Sequence, residues 1–162
     1  MSVSLREITP ENFKECITLK VADGQTNFVC PNVTSIAHSK VYPTVEPYAV
    51  YDDERMVGFV MLGFISHLKR YYLVRLMIDE NFQGKGFGRA AALAVIEKMK
   101  QIEECREIYL NFVPENKNAE KLYQSVGFER TGELNEGEIV MRYLIENNAN
   151  PKSKIQNKTD VS

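Results

Sequence analysis

The chain has 162 residues, 44% of them apolar and 26% charged, with a formal net charge of −2. That size and balance suit one globular domain with a real core, and the near-neutral charge gives no general reason to bind nucleic acid or an anionic membrane. No apolar run nears the ~20 residues of a spanning helix, and the N-terminal MSVSLREITPEN lacks the basic-then-apolar pattern of a signal peptide.

Cys16, Cys30 and Cys105 are odd in number and scattered, which points to reduced thiols in a cytoplasmic protein rather than a disulfide frame. His38 and His67 are too isolated to nucleate a metal cluster, and no metal is expected. Residues 3–8 alternate well enough for a first strand. Thr9-Pro10 then reads as a helix start, with Thr9 as N-cap and Pro10 at the first helical position. Phe13, Cys16, Ile17, Leu19 and Val21 give that helix an apolar face, and Asp23-Gly24 should end it. Residues 25–31 are irregular, and a short helix is expected over 33–40.

Residues 47–51 and 56–65 form an expected antiparallel hairpin turning at 52–55. After a second turn at 67–70, residues 71–78 mix β-branched, aromatic and aliphatic side chains as a buried strand does. Asp79, Glu80 and Asn81 break it, and Gln83-Gly84-Lys85-Gly86-Phe87-Gly88 leads into a helix expected to run to Ile102. Glu107–Phe112 is strand-like. A helix over 117–126 is closed by Gly127 at the left-handed position after its end, and residues 128–134 and Glu138–Leu144 form a last hairpin. Residues 147–162 are polar, with too little apolar area to offset their ordering entropy. The expected division is therefore a domain over 1–146 and a tail over 147–162.

The glycine-rich stretch carries chemistry. Three glycines at alternate positions leave backbone N–H groups bare to converge on one anion, and a helix N-terminus adds about half a positive charge there. Lys85 and Arg89 stand beside it. The grip suits a phosphate or pyrophosphate, but Gly84, Gly86 and Gly88 fit neither the Rossmann spacing nor the P-loop. A turn that merely lets strand and helix pack closely is the plainer alternative.

The stretch resembles the pyrophosphate loop of the GCN5-related N-acetyltransferases, [QR]-x-x-G-x-[GA]. A second run begins 33 residues after Gln83: Asn116-Lys117-Asn118-Ala119-Glu120-Lys121-Leu122-Tyr123-Gln124-Ser125-Val126-Gly127-Phe128. It resembles that family's N-x-x-A-x-x-L-Y-x-x-x-G-F, and the order β-α-α-β-β-β-α-β-α-β-β is the family's own. The resemblance covers about residues 3–145. It implies an α/β (α+β) fold with a mixed, mostly antiparallel sheet of about seven strands flanked by four helices.

It also implies direct transfer of acetyl from acetyl-CoA to an amine within a ternary complex. The pyrophosphate would sit on the amides of residues 84–89, with Gln83, Gly84, Lys85, Gly86, Phe87, Gly88 and Arg89 in the cofactor site. The pantetheine arm would run along backbone at Leu76, Met77 and Ile78, Asn116 would meet the cofactor from the other side, and Lys121 would reach its nucleotide end. Tyr123 matches the general acid; a phenol with pKa near 10 can protonate a thiolate whose acid titrates at about 8.5. A buried core ring is the other reading of Tyr123.

An amine with pKa near 10.4 is only about one part in 2,500 neutral at pH 7, so its proton must leave. Family members acting on polyamines often carry a carboxylate within the central strand, where this chain has Val74. Glu7, Asp23, Glu46 and water held near Tyr72 are the remaining candidates. Residues 19–29, with Gln25, Phe28 and Val29, resemble the bacterial spermine/spermidine (diamine) acetyltransferases. The first 60 residues hold eight acidic against five basic side chains, and such a rim attracts a polycation. Gln25, Phe28, Glu46 and Tyr72 are the expected substrate contacts, whereas Asp52, Asp53 and Glu54 read as a solvated turn. A small amine is the expected partner, with a homodimer through the last strands possible. Acetylation of protein N-termini or another amine, a non-catalytic acyl-CoA-binding module, and ATP binding are the competing readings.

Overall fold

A computed structural model describes residues 2–146; the tail expected over 147–162 lies outside them. The chain runs β1 (Ser4–Glu7), α1 (Phe13–Thr18), α2 (Asn32–Val41), β2 (Val45–Asp52), β3 (Arg55–Ile65), β4 (Arg70–Ile78), α3 (Phe87–Met99), β5 (Glu107–Phe112), α4 (Lys117–Ser125), β6 (Glu129–Asn135) and β7 (Glu138–Leu144). One seven-stranded sheet has the order β1-β2-β3-β4-β5-β7-β6. Every neighbouring pair is antiparallel except β4–β5. The expected class, strand number and helix number are all met.

The sheet is clothed by side chains alternating along each strand. On one face, Val60, Leu73 and Leu110 meet Ala91 and Val95 of α3 and Tyr123 of α4. On the other face, Ala49, Phe59 and Met77 pack with Cys16 of α1 and Ile36 of α2.

Two features of β4 prepare the site. Opposite β3, Met61 pairs with Arg75 and Leu62 with Leu73, so Val74 is the extra residue of a bulge. Toward β5, only Tyr71↔Ile108 and Tyr72↔Tyr109 pair, although both strands continue. The parallel pair therefore opens beyond Tyr72, and the β4 edge over 73–78 loses its ladder partner on that side.

Two helix bounds differ from expectation. Thr9 is not the N-cap of a helix starting at Pro10: the Thr9 N–H donates to Asn12 Oδ1 at 2.8 Å, and the helix begins only at Phe13. It also ends at Thr18 rather than at Asp23, because Leu19 turns extended and lets Lys20 bond elsewhere. The Lys20 N–H donates to Asp79 Oδ2 at 3.0 Å, and Lys20 C=O accepts from the Glu80 N–H at 2.8 Å. These tertiary bonds outweigh the helical periodicity of Leu19 and Val21. Likewise α3 stops at Met99, and Ile102 reaches the core from the turn that follows.

Asp79 is 6% exposed and uses both oxygens, Oδ2 toward Lys20 and Oδ1 toward the Asn81 N–H and Asn81 Nδ2, each at 3.0 Å. Asp79→Ala strips three donors of their acceptor. It should cost about 2–3 kcal/mol in urea unfolding at unchanged m; a loss below about 0.5 kcal/mol would contradict this role.

Candidate functional site

The residues after β4 make a short helical turn, Glu80–Phe82, and then the glycine loop. Gly84 and Gly86 have φ of 74° and 90°, left-handed values that side chains resist. Gly86 is the N-cap of α3 and has no side chain with which to cap it. The helical ladder starts where the Ala90 N–H donates to Gly86 C=O at 3.1 Å. The amides of Phe87, Gly88 and Arg89 therefore stand at the helix mouth as donors with no partner inside the helix. No acidic residue occupies the first turn of α3, so nothing on the helix itself competes for an anion there. Gly88 serves a second purpose: a Cβ would lie 3.2 Å from Leu122 Cδ1, so its bareness lets α3 approach α4.

Gln83 fixes the loop to the end of β4. Its Nε2 donates to Ile78 C=O at 2.9 Å and to Gln25 Oε1 at 2.8 Å. The opened strand edge, the glycine loop and α4 together enclose a cavity of about 380 Å³. Of the expected cofactor residues, Leu76, Met77, Ile78, Gln83, Gly84, Gly86, Phe87, Gly88, Arg89 and Asn116 all line it, as do Tyr123, Gln25 and Phe28.

Four expected site residues are not among those lining the cavity. Lys85 is exposed, its Nζ 5.8 Å from the Phe82 ring centroid, and Lys121 points to solvent on the outer side of α4. Glu46 accepts a hydrogen bond from the Tyr48 hydroxyl. Tyr72 packs with Tyr109 and Val140, its hydroxyl 3.2 Å from Asn111 Oδ1. Periodicity decides two of the cases: Lys121 is two residues from Tyr123 and so on another face, and Glu46 shares a strand face with Tyr48.

The 52–54 turn is solvated as expected, with Glu54 paired with Arg6 at 3.2 Å and Asp52 with Arg55 at 2.7 Å. None of the residues lining the cavity is a carboxylate, so Glu7, Asp23 and Glu46 are all absent from its wall. Sequence reading missed Phe82, Val21 and Leu122 as wall residues. Leu122 was legible as the apolar neighbour of Tyr123, whereas Val21 comes into place only because Lys20 is tied to Asp79 and Glu80.

Tyr123 is the side chain best placed for proton transfer. It is 8% exposed, its ring meets Phe128 edge-on at 5.8 Å, and its hydroxyl makes no hydrogen bond among the described residues. Burial pushes its pKa well above the ordinary tyrosine value, so it holds its proton at neutral pH. Asn116 lines the cavity, and its Oδ1 accepts from the Ala119 N–H at 3.2 Å and caps α4, so its Nδ2 is the side-chain group not used in the cap. Burial also pushes the Cys16 and Cys105 thiols up to about 11, so neither is an effective nucleophile. No metal-binding cluster occurs among the described residues.

A larger concavity of about 1050 Å³ lies at the far ends of α3 and α4, walled by charged residues such as Lys100, Arg106, Glu129 and Arg142. It has neither a helix N-terminus nor a left-handed glycine pair open to a ligand. Chemistry, not size, favours the smaller site.

The chain matches the model of the Acetyltransferase (GNAT) family over residues 14–128. It is 31% identical over 148 residues to the spermine/spermidine N(1)-acetyltransferase of Bacillus subtilis (strain 168), a match covering 87% of this chain and 97% of that protein. Among solved structures it resembles the Vibrio cholerae spermidine N-acetyltransferase in complex with CoA and spermine, with a TM-score of 0.69, 22% identity, and 88% and 95% of the two chains covered. It also resembles AAC(6')-Ib in complex with ribostamycin and coenzyme A, with a TM-score of 0.73, 18% identity, and 89% and 94% covered. At such identities the two structures speak to the fold alone.

Proposed function

The chain belongs to the GNAT family of acetyltransferases, and from that premise we propose that it acetylates a primary amine of a polyamine such as spermidine or spermine, using acetyl-CoA. The observation that carries this reading is one cavity holding, along its wall, the unpaired edge of β4, the bare amides of the glycine loop and the Tyr123 ring. The likeness to a spermine/spermidine acetyltransferase supports the acceptor class.

When bound, acetyl-CoA supplies an activated thioester and a thiolate leaving group. The residues fit it. The amides of Phe87, Gly88 and Arg89 bind its diphosphate, with the positive end of α3 behind them. Backbone at Leu76, Met77 and Ile78, left without a ladder partner on the β5 side, would hold the pantetheine arm, and an amide there would supply a hydrogen-bond donor to the acyl oxygen. Asn116 Nδ2 donates from the opposite wall. Tyr123 would hold the proton for the departing sulfur, and the proton that the attacking nitrogen gives up as the amide forms would restore it. Because no carboxylate lines the cavity, the ammonium sheds its proton to water before attack.

A cytoplasmic location and a homodimer through the last strands complete the proposal. Three unpaired cysteines support the first, and no helix among the described residues is long and apolar enough to cross a membrane. Leu134, 71% exposed on edge strand β6, supports the second.

A second reading, acetylation of protein N-termini, draws on the same missing carboxylate. An α-amino group titrates near 7.7–8.0 and is about a tenth neutral at pH 7, so it needs a base far less. Turnover of spermidine, spermine, putrescine and N-terminal peptides with acetyl-CoA separates the two. Spermidine or spermine should give the highest kcat/KM; peptide turnover without spermidine turnover would overturn the polyamine assignment.

A further inference from the structure

The acceptor-side segment, residues 19–31, is tied to the glycine loop at one point within its span. Its root is held by the Lys20 backbone on Asp79 and Glu80 and by the Lys20–Glu80 ion pair at 3.2 Å. Its far end is held where Asn32 Nδ2 donates to Cys16 C=O at 2.9 Å. Between these anchors, two side-chain hydrogen bonds arrive from β4 and the loop after it. One is the weak contact of Arg75 Nη2 with Cys30 Sγ at 3.5 Å. The other joins Gln83 Nε2 to Gln25 Oε1 at 2.8 Å.

The chemistry of that second bond fixes both amides. Ile78 C=O can only accept, so Gln83 must turn its nitrogen toward it, and the same nitrogen spends its other hydrogen on Gln25. Gln25 must therefore present oxygen to Gln83, leaving its NH2 as the remaining side-chain group. Gln25, an expected substrate contact that lines the cavity, therefore has a structural partner in Gln83 as well.

We propose that Gln25 is a positioning residue: the Gln25–Gln83 bond is a latch that sets the acceptor-side segment by the conformation of the glycine loop, so that the cofactor site and the amine site are ordered together. The assignment of the two sites rests on the polyamine acetyltransferase reading; the latch itself does not. Residues 21–31 otherwise have few bonds to the sheet, and such a segment opens locally unless pinned.

The test uses two variants of the full chain. Gln25→Met keeps the length but removes the acceptor; Gln25→Glu keeps an acceptor for Gln83. In the ligand-free protein, amide hydrogen exchange over residues 19–31 should be about fivefold faster in Gln25→Met and near wild type in Gln25→Glu. With acetyl-CoA and spermidine, Gln25→Met should raise the amine KM about tenfold while the CoA dissociation constant moves less than about threefold, and Gln25→Glu should restore the amine KM. Wild-type exchange in Gln25→Met, or exchange in Gln25→Glu as fast as in Gln25→Met, would overturn the latch. So would equal losses for amine and CoA. If the wild-type protein acetylates no polyamine, the functional reading fails, and the exchange measurement still decides the latch.

Discussion

Tyr123→Phe is expected to lower kcat by about a hundredfold or more, the usual worth of a positioned proton donor, while the CoA dissociation constant stays within about threefold. The split follows from where the hydroxyl sits. The ring packs on Phe128, and phenylalanine preserves that packing; the hydroxyl has no hydrogen-bond partner among the described residues whose loss would disturb the fold. What disappears is the proton for the leaving sulfur. Equal falls in kcat and in CoA affinity would instead make Tyr123 a wall of the cavity and nothing more. The direction of its pKa adds a second check. Burial raises it, so the protonated, active form persists above the ordinary value near 10. Tyr123 should therefore produce no alkaline fall in wild-type kcat below about pH 10.

Gly86→Val should weaken CoA binding roughly a hundredfold, equivalent to about 2–3 kcal/mol, or one or two charge-assisted hydrogen bonds. A β-branched residue cannot adopt a φ of 90° without strain. The loop would relax to another conformation and turn its amides away from the mouth of α3. Gly137→Val is the control. That glycine also has a left-handed φ, 82°, in the β6–β7 turn, with nothing within 4 Å of an added Cβ. It carries similar backbone strain remote from the site. Isothermal calorimetry should show CoA affinity lost in the first variant and kept in the second; equal effects would mean that strain alone, not the amide cradle, sets affinity.

Much of this site could be read in the chain because its parts are local. The glycine loop is contiguous, and its consequences follow from backbone freedom and the helix that opens after it. Tyr123 and Asn116 lie on one short helix whose spacing fixes their relation. The two things that escaped reading depend on distant pairing. One is the divergence of β4 from β5, which turns a strand edge into a binding surface and is visible only in the register at Tyr72↔Tyr109. The other is the acceptor side. Periodicity carries α1 past Leu19, but Asp79, 59 positions away, draws the Lys20 amide out of the helix.

The account stands on the glycine loop as the seat of the CoA diphosphate. Its most direct test is a titration of the ¹⁵N-labelled protein with CoA, and separately with ATP, following the backbone amide resonances. The largest CoA-induced shifts should fall on residues 84–89 and 76–78, with ATP binding more weakly. Shifts confined to residues 97–106 and 126–146, around the larger concavity, or a preference for ATP, would contradict it.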